Sequence, residues 1–280
     1  MARILIAGCG DVGTVLGLQL VQAEHQVFGV RRNAHLLPAA ITPIAADITI
    51  SEELCDLPED LDFVFFTAAP DSSTEEAYES TYLVGISNLL DSLRDQSVSR
   101  VFFTSSTSVY AQSNGEWLDE ESPAEPTNFR GRIILKAEQL LLGGPFPVTV
   151  MRAGGIYRPG SLRLLESVRS GQAVSIQGPP IYTNRIPLED VEGALAHLMK
   201  LESPETLYLG VDSDPCDLRE IVRWMAARIG VAPPTESNFE RRHLSSKRCS
   251  NKRLRASGYA FKYPTYREGY EAILTGGGAE

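Results

Sequence analysis

The chain has 280 residues, 43% of them hydrophobic and 22% charged, so it can bury the core of one large domain or of a large domain with a smaller lobe. Its net charge of -10 argues against a general binder of nucleic acid or of anionic membranes. The four cysteines are scattered without a Cys-x-x-Cys pair, which predicts neither a metal site nor a disulfide framework and favours a cytoplasmic location.

Strand-length apolar runs alternate with helical patterns through the first half of the chain, which predicts parallel β-α-β units. The predicted strands are ARILIAG, HQVFGV, PIAADI, LDFVFFTAA, SRVFFTSS and PVTVMRAGGIY. One long helix is predicted from about Glu75 to Leu93, and another contains RGRIILKAE. The pattern therefore predicts an α/β fold with a doubly wound parallel sheet of Rossmann type.

After Pro159 the pattern changes to short strands (AVSIQG, NRIPL, TLYLGV) mixed with the helical segments LEDVEGALAHLMK and DLREIVRWMAARIG. We predict a Rossmann domain over 1–158, a smaller α/β substrate lobe over 159–274 that is partly interleaved with it, and a disordered tail over 275–280. The basic stretch from Arg241 to Arg255 is interpreted as a solvated helical face rather than an anion site.

The segment GCGDVG directly follows the first strand and opens a helix, which is the context of a dinucleotide-binding loop. Gly8 would permit the tight turn, Gly10 the approach of a pyrophosphate, and Gly13 close packing of helix on strand. The helix would begin at Asp11 and Val12, where its amides and positive potential favour phosphate groups. The segment therefore predicts a dinucleotide site.

The end of the second strand carries Arg31, Arg32 and Asn33, where an NAD site usually has an acid. A carboxylate would repel a 2′-phosphate, whereas arginine binds it with paired N–H donors. We therefore predict NADP(H) over NAD(H), with two solvated arginines as the alternative. Asp47 and Ile48 are placed to meet the adenine edge, although a turn-forming Asp fits equally well.

Together these segments resemble the short-chain dehydrogenase/reductase superfamily in its extended, NAD-dependent epimerase/dehydratase branch. The resemblance covers nearly the whole chain and rests on GCGDVG, Asp47–Ile48, FVFFTAA, VFFTSSTSVYA, VMRAGGIYRPG and NRIPLEDVEGAL. One departure is Ala7, where the branch usually has another glycine. The resemblance implies further cofactor contacts at Ala68, Ala69, Ser105 and Gly155.

The family's chemistry uses a Ser or Thr hydroxyl, a tyrosine and a lysine. The resemblance places the hydroxyl at Ser106, although a strand-end hydroxyl that binds loop amides is an equally good interpretation. It also implies a substrate-side arginine at Arg185, with Asp190 as its structural partner; a surface role for Arg185 is the alternative.

The family's Tyr-x-x-x-Lys pattern is expected on the following helix, and two registers are possible. With Lys136 as the lysine, Arg132 stands at the tyrosine position. Matching the family's tail to Ala137–Glu138 instead places Arg130 and Ile134 at the two positions, and this register matches more of the pattern. Neither register contains a tyrosine, and arginine cannot exchange a proton near neutral pH.

The resemblance thus implies an atypical member that lacks the catalytic Tyr/Lys pair, and two functions are considered. One is an NADP(H)-dependent oxidoreductase or epimerase for a small carbonyl, hydroxyl or nucleotide-sugar-like substrate, with Arg130 on the substrate side. Its substitute acid/base would be Tyr82, Tyr110 or Tyr157, or a water or substrate group. The other is a non-catalytic NADP(H)-binding redox sensor or scaffold. The retained substrate lobe favours the first, and the resemblance suggests a homodimer.

Overall fold

A seven-stranded parallel sheet forms the centre of the computed structural model, which describes residues 1–237 and 245–276. The strands are β1 (Arg3–Ala7), β2 (Gln26–Val30), β3 (Thr42–Ile44), β4 (Phe63–Phe66), β5 (Arg100–Ser106), β6 (Glu116–Leu118), β7 (Val148–Ala153), β8 (Gly155–Tyr157), β9 (Val174–Ile176), β10 (Tyr182–Thr183), β11 (Arg185–Pro187), β12 (Leu207–Gly210), β13 (Cys216–Asp217), β14 (Thr235–Ser237) and β15 (Lys247–Cys249). The helices are α1 (Asp11–Gln22), α2 (Glu75–Glu79), α3 (Gly85–Ser92), α4 (Phe129–Leu142), α5 (Arg163–Arg169), α6 (Leu188–Met199), α7 (Leu218–Ile229), α8 (Lys252–Ala256) and α9 (Tyr266–Leu274).

The order of strands in the central sheet is β12-β7-β5-β4-β1-β2-β3, and every neighbouring pair is parallel. The chain builds outward from β1 through β2 to β3, and then continues on the other side of β1 with β4. This reversal leaves a crevice at the carboxyl ends of β1 and β4, which is where open α/β sheets bind ligands.

Both faces of the sheet are covered, which explains the nearly continuous hydrophobicity of its strands. On one face, Ile4 and Ile6 pack with Leu16 of α1 and Leu195 of α6. The opposite face is covered by α3 and α4, whose buried side chains join a second apolar cluster with alternate residues of the same strands. The predicted Rossmann-type α/β sheet is therefore confirmed.

The six strands predicted for the first half correspond to β1–β5 and β7, with β3 ending at Ile44 rather than continuing to Ile48. The long predicted helix is also present, as α2 and α3 joined by the π-helical turn Ser80–Val84. TLYLGV forms β12, which pairs with β7 at the edge of the main sheet, so this part of 159–274 is not confined to a separate lobe. The domain division itself stays a prediction.

The second half of the chain adds a smaller apolar cluster around α5, α7 and α9. Short strands outside the central sheet form four pairs: β8 with β11, β9 with β14, β10 with β13, and β6 with β15. None of the helices in the ranges 1–237 and 245–276 is long and apolar enough to cross a membrane.

The basic stretch is not one solvated helical face where the structure describes it. Lys247 lies in β15, is 5% exposed, and donates its Nζ to the Tyr110 carbonyl oxygen at 2.8 Å. Arg253 on α8 bonds the Leu207 carbonyl at 3.3 Å and pairs with Glu121 at 2.5 Å. The interpretation is wrong for Lys247 and Arg253 because they bind carbonyl and carboxylate oxygens of the chain, whereas Lys252 and Arg255 of α8 are exposed as it expects. Residues 241–244 and 277–280 lie outside the described ranges.

A buried ion pair joins α4 to the sheet. Glu138 of α4 and Arg152 of β7 are 2% and 6% exposed, and the guanidinium donates to both carboxylate oxygens at 2.9 and 2.6 Å. The Ser105 hydroxyl donates to Glu138 at 2.5 Å, and Arg152 donates to the Tyr110 hydroxyl at 2.8 Å. Burial works against the charge of Arg152, but the Glu138 carboxylate outweighs it and the Arg152 pKa is raised. The pair therefore fixes α4 against β5 and β7.

Replacing Arg152 should destabilise the fold, because it leaves the Glu138 carboxylate buried without its countercharge. We expect Arg152→Met to lower the free energy of unfolding by about 3–5 kcal/mol, and the double variant with Glu138→Leu to recover much of the loss. Urea unfolding followed by circular dichroism measures both. The control is Arg94→Met, which removes an exposed pair with Asp91 and should cost less than about 1 kcal/mol. An Arg152→Met protein as stable as the control variant would contradict the role of the pair.

Candidate functional site

A cleft of about 500 Å³ lies at the carboxyl ends of β1, β2, β3 and β4, a size typical of small-molecule sites. Most of the predicted cofactor residues line it: Gly8, Gly10, Asp11, Val12, Arg31, Arg32, Asp47, Ile48, Ala68 and Ala69. The structure therefore brings residues from four separate loops to one wall. It adds residues that the sequence did not single out: Val30, Ala46, Thr49, Thr67, Asp71, Ala77, Ser80 and Thr81.

The glycine loop is shaped by two close contacts and one open position. Gly8 has φ +80°, and a Cβ there would lie 2.3 Å from the Cα of Ala68, so no other residue fits. A Cβ at Gly13 would lie 2.8 Å from Ile6 and from Thr67, which brings α1 close to β1. At Gly10 a Cβ would meet nothing nearer than 3.9 Å, and this residue faces the cleft. The loop therefore offers backbone to a ligand at Gly10.

The N-terminus of α1 points its first amides towards this cleft. Its N-cap is Gly10, so no side chain caps the helix, and Asp11 and Val12 of the first turn line the cavity. Unpaired amides and the positive end of the helix dipole make such a terminus a binding place for anionic groups.

Arg32 spans the outer edge of the cleft between two carboxylates. Its guanidinium donates to Asp71 at 2.6 Å and lies 3.9 Å from Asp47. The hydrogen bond to Asp71 raises the pKa of Arg32, and the same bond lowers the pKa of Asp71. Asp47 also accepts from the amide and hydroxyl of Thr49 at 2.9 and 2.8 Å, so it forms the expected turn while lining the cleft. The two interpretations of Asp47 are compatible.

Four predicted cofactor residues lie outside the cleft wall. Gly13 lies behind the loop as a packing residue, and Asn33 is exposed beyond Arg32. The Ser105 side chain is 5% exposed and is bonded to Glu138, so it stabilises the fold rather than facing a ligand. Gly155 begins β8 and donates its amide to the Asn184 carbonyl at 2.9 Å.

The three candidate tyrosines are buried, and none of them is among the residues that line the cleft, so their role as an acid/base stays a prediction. Tyr110 is 2% exposed, its hydroxyl is bonded to Arg152, and burial raises its pKa to about 12. Tyr157 is 3% exposed and stacks on Tyr270, with ring centroids 4.2 Å apart. Tyr82 lies in the π-helical turn, and burial raises its pKa as well. Each hydroxyl would hold its proton at neutral pH.

Ser106 lies at the end of β5, where its hydroxyl accepts from the Ser108 amide at 3.1 Å. This is the expected bond of a strand-end hydroxyl to a loop amide. Its side chain is half-buried, and the hydroxyl keeps its own proton to donate.

The start of α4 shows where the two registers place their residues. Arg130 is exposed, with its guanidinium 5.6 Å from the Phe129 ring centroid and 6.0 Å from that of Tyr78. Arg132 is also exposed and donates to the Thr127 carbonyl at 2.8 Å. Ile134 is 4% exposed in the apolar core. Neither register therefore presents a tyrosine-and-lysine pair.

The second half of the chain contains a buried acid, Asp212, that the sequence did not single out. Asp212 follows β12, is 1% exposed, and has one carboxylate oxygen without a partner in the described residues. Burial raises its pKa to about 8, although the charge of Arg185 acts in the opposite direction. Asp190 accepts from the Tyr259 hydroxyl and from the amides of Lys262 and Tyr263 at 2.8, 2.7 and 3.0 Å. It therefore holds the segment that follows α8, which corrects its assignment as the partner of Arg185.

Within the described part of the chain, His, Cys, Asp and Glu side chains form no group of three or more that could hold a metal ion. The polar groups of the cleft are instead backbone amides, arginines and single carboxylates. A glycine loop at the start of α1, under a crevice where the strand order reverses, defines a Rossmann-type nucleotide-binding protein.

Comparison with known proteins places the chain in a family. The model of the NAD dependent epimerase/dehydratase family matches residues 4–132. A Methylobacillus flagellatus protein, provisionally assigned as an NAD-dependent epimerase/dehydratase, is 35% identical, with 98% of each chain covered and a TM-score of 0.83. The chain therefore belongs to the NAD-dependent epimerase/dehydratase family.

Two more distant proteins are also similar. Protein YeeZ of Escherichia coli K12 is 25% identical over 251 residues, which cover 85% of this chain and 88% of YeeZ. The human epimerase family protein SDR39U1, solved with NADPH, has a TM-score of 0.80 at 20% identity, with 98% and 99% of the two chains covered. At 20% identity this similarity supports the shared fold alone.

The buried Asp212 carboxyl predicts a pH-dependent stability. It ionises in the unfolded chain near its ordinary pKa of 3.8 but in the folded protein only near pH 8, so the folded state holds an extra proton between these values. The contribution of this carboxyl to the free energy of unfolding is therefore greatest below about pH 4. It falls by up to about 1.4 kcal/mol per pH unit as the pH rises to 8. Asp212→Asn removes this loss.

We therefore expect Asp212→Asn to gain stability relative to the parent protein between pH 5 and 8, measured by urea unfolding at each pH. Glu192, whose pKa burial raises to about 7, adds a slope of the same sign to both proteins and cancels in the difference. The exposed Asp56→Asn serves as the matched control. A difference between Asp212→Asn and parent that does not grow with pH would contradict the assignment.

Proposed function

We propose that the chain binds a nicotinamide dinucleotide in the cleft and acts as an oxidoreductase or epimerase. One observation carries this proposal. The glycine loop, the uncapped N-terminus of α1 and the ends of β2, β3 and β4 all line one cavity. A pyrophosphate would lie at Gly10 and the α1 amides, and the adenosine would extend towards Asp47 and Ile48. The NADPH bound to the human relative supports the cofactor class.

We propose NADP(H) as the preferred form because the adenosine end of the cleft carries Arg31 and Arg32. Arg32 already binds one anion there, the Asp71 carboxylate at 2.6 Å. A 2′-phosphate carries more charge and more acceptor oxygens than a carboxylate, so it can replace Asp71 on the same guanidinium. Asp47 favours the opposite choice, since a carboxylate can bind the free 2′-hydroxyl of NAD.

The reaction proposed is hydride exchange with a small carbonyl, hydroxyl or nucleotide-sugar-like substrate. Ser106 would orient the reacting oxygen, with Arg130 and Arg185 on the substrate side. Since Tyr82, Tyr110 and Tyr157 are buried, the proton would come from water or from a group of the substrate. The dinucleotide supplies the hydride chemistry when bound, and the chain supplies orientation.

A specific observation favours a second candidate, a non-catalytic NADP(H)-binding sensor or scaffold. The tyrosine and lysine positions of the family hold Arg130 and Ile134 in the preferred register, and the three substitute tyrosines are buried. A dinucleotide could then bind without an acid/base group of the protein nearby.

We also propose that the protein is cytoplasmic and forms a homodimer. The four cysteines are free thiols, which suits a reducing compartment. The dimer would form through the helices after β4 and β5, where Val84 and Leu142 are 45% and 48% exposed.

Turnover distinguishes the two candidates. We expect the purified protein to oxidise NADPH with at least one member of a panel of aldehydes, ketones and nucleotide sugars, followed by loss of the reduced nicotinamide absorbance. Ser106→Ala should lower that rate by about 100-fold, as loss of one orienting hydrogen bond does. The exposed Ser113→Ala is the control. Tight cofactor binding with no loss of absorbance, and with no epimerised product when the nucleotide sugars are incubated with NADP⁺, would select the non-catalytic candidate.

The NADP(H) preference depends on Arg32. We expect Arg32→Ala to weaken NADPH binding by about 10-fold or more, because it removes a charge-assisted bond to the 2′-phosphate, while NADH binding changes little. Fluorescence titration of both cofactors measures the ratio. Asp71→Asn, which frees the same guanidinium, should tighten NADPH binding. Equal affinity of the parent protein for NADH and NADPH would overturn the preference.

A further inference from the structure

An ion pair ties the second half of the chain to the glycine loop. Arg158, which follows β8, donates from Nη2 to Oδ2 of Asp11 at 2.5 Å. Asp11 is the first residue of α1 and lines the cleft, whereas Arg158 reaches it from 147 residues further along the chain. The Arg158 side chain is 31% exposed and that of Asp11 is 64% exposed. The contact therefore joins the loop after β8 to the first residue of α1, which lines the cleft.

The pair contributes little to folding, because ion pairs this exposed stabilise proteins by at most about 1 kcal/mol. Its position has a larger consequence for a ligand. The Asp11 carboxylate suits the positive end of α1, yet it would repel a pyrophosphate that binds to the same amides. Arg158 brings a compensating charge to this point.

The guanidinium of Arg158 also has donors to spare. A guanidinium carries five N–H groups in a planar fork. In the structure, Nη2 donates to Asp11 and Nη1 donates to the Pro159 carbonyl at 3.1 Å. The remaining donors lie on a side chain that already reaches the N-terminus of α1, and paired N–H donors are the groups that bind phosphate oxygens in a fixed orientation.

We propose that Arg158 is a cofactor-binding residue that contacts the pyrophosphate of the dinucleotide, and that Asp11 positions its guanidinium for this contact. The inference rests on the proposed function, since it requires a dinucleotide in the cleft. It assigns one ligand class to this arginine, the diphosphate ester of a dinucleotide, and it makes the loop after β8 part of the binding site. Binding would then hold the substrate lobe against the glycine loop.

The test separates contact with the pyrophosphate from simple neutralisation of Asp11. Isothermal titration of NADPH is compared with that of adenosine 2′-monophosphate, which shares the adenosine end but has no pyrophosphate. Arg158→Gln should weaken NADPH binding by about 10-fold or more, as loss of a charge-assisted bond does, and leave adenosine 2′-monophosphate binding within about twofold. Arg163→Gln, the same charge change at an exposed residue where α5 begins, should alter neither.

The double variant Asp11→Asn with Arg158→Gln decides the mechanism. If Arg158 contacts the pyrophosphate, this variant regains only the affinity that repulsion by Asp11 costs, and it binds NADPH more weakly than Asp11→Asn alone. Affinity equal to that of Asp11→Asn alone would show that Arg158 only neutralises Asp11 and would overturn the proposal. Arg158→Lys keeps the charge but loses the planar fork, and we expect intermediate binding.

The outcomes also separate the two levels of the proposal. A parent protein that binds NADPH, with Arg158→Gln unchanged, overturns the role of Arg158 and leaves the proposed function standing. A parent protein that binds neither NADPH nor NADH overturns both. Thermal unfolding of each variant, expected within a few degrees of the parent for so exposed a pair, confirms that altered binding is not lost folding.

Discussion

The buried pair between Glu138 and Arg152 is the interaction on which the rest of the structure depends. A charge taken out of water is costly unless it is paired and fully hydrogen-bonded, and here both oxygens of Glu138 accept from Arg152 while Ser105 adds a third bond. Because these residues come from α4, β7 and β5, the pair fixes the helix relative to two strands. Tyr110 is held by the same arginine. The end of β5 is therefore a rigid part of the protein.

This arrangement explains why the groups near β5 and those of the cleft serve different purposes. Ser105 and Tyr110 lie in the segment that most resembles the family's catalytic motif, yet their hydroxyls complete the buried network. The cleft itself is formed on the other side of β4, where Gly8 approaches Ala68 so closely that only hydrogen fits between them. The residues at the end of β5 therefore stabilise the fold, whereas those at the ends of β1 and β4 line the cleft. In the preferred register Arg130 and Ile134 stand at the Tyr/Lys positions, and neither residue is among those that line the cleft.

Much of the fold was predictable because its signals are local. GCGDVG after an apolar strand specifies a turn, a helix start and a phosphate-sized opening from consecutive residues. The burial of the candidate tyrosines could not be predicted because it depends on distant partners: Tyr157 is covered by Gly269 and Tyr270, more than a hundred residues away. Asp71 and Arg158 were missed for the same reason, since only folding brings them to Arg32 and Asp11. The strands β10 and β13 have only two residues each and carry no periodicity to detect.

Two arginines at the cleft are already paired with carboxylates before any ligand arrives. Arg32 holds Asp71 and Arg158 holds Asp11, each pair largely exposed, so each contributes about 0–1 kcal/mol. A phosphate offers an arginine a charge-assisted bond of about 1.5–3 kcal/mol. In the proposed complex a phosphate therefore replaces Asp71 on Arg32, whereas Arg158 keeps Asp11 and offers its remaining N–H donors to the pyrophosphate. Under the proposed function, a carboxylate that competes too strongly at Arg32 would convert selection for NADP(H) into selection for NAD(H). The balance at Arg32 would then determine the cofactor, and the contact of Arg158 would determine how firmly the loop after β8 holds it.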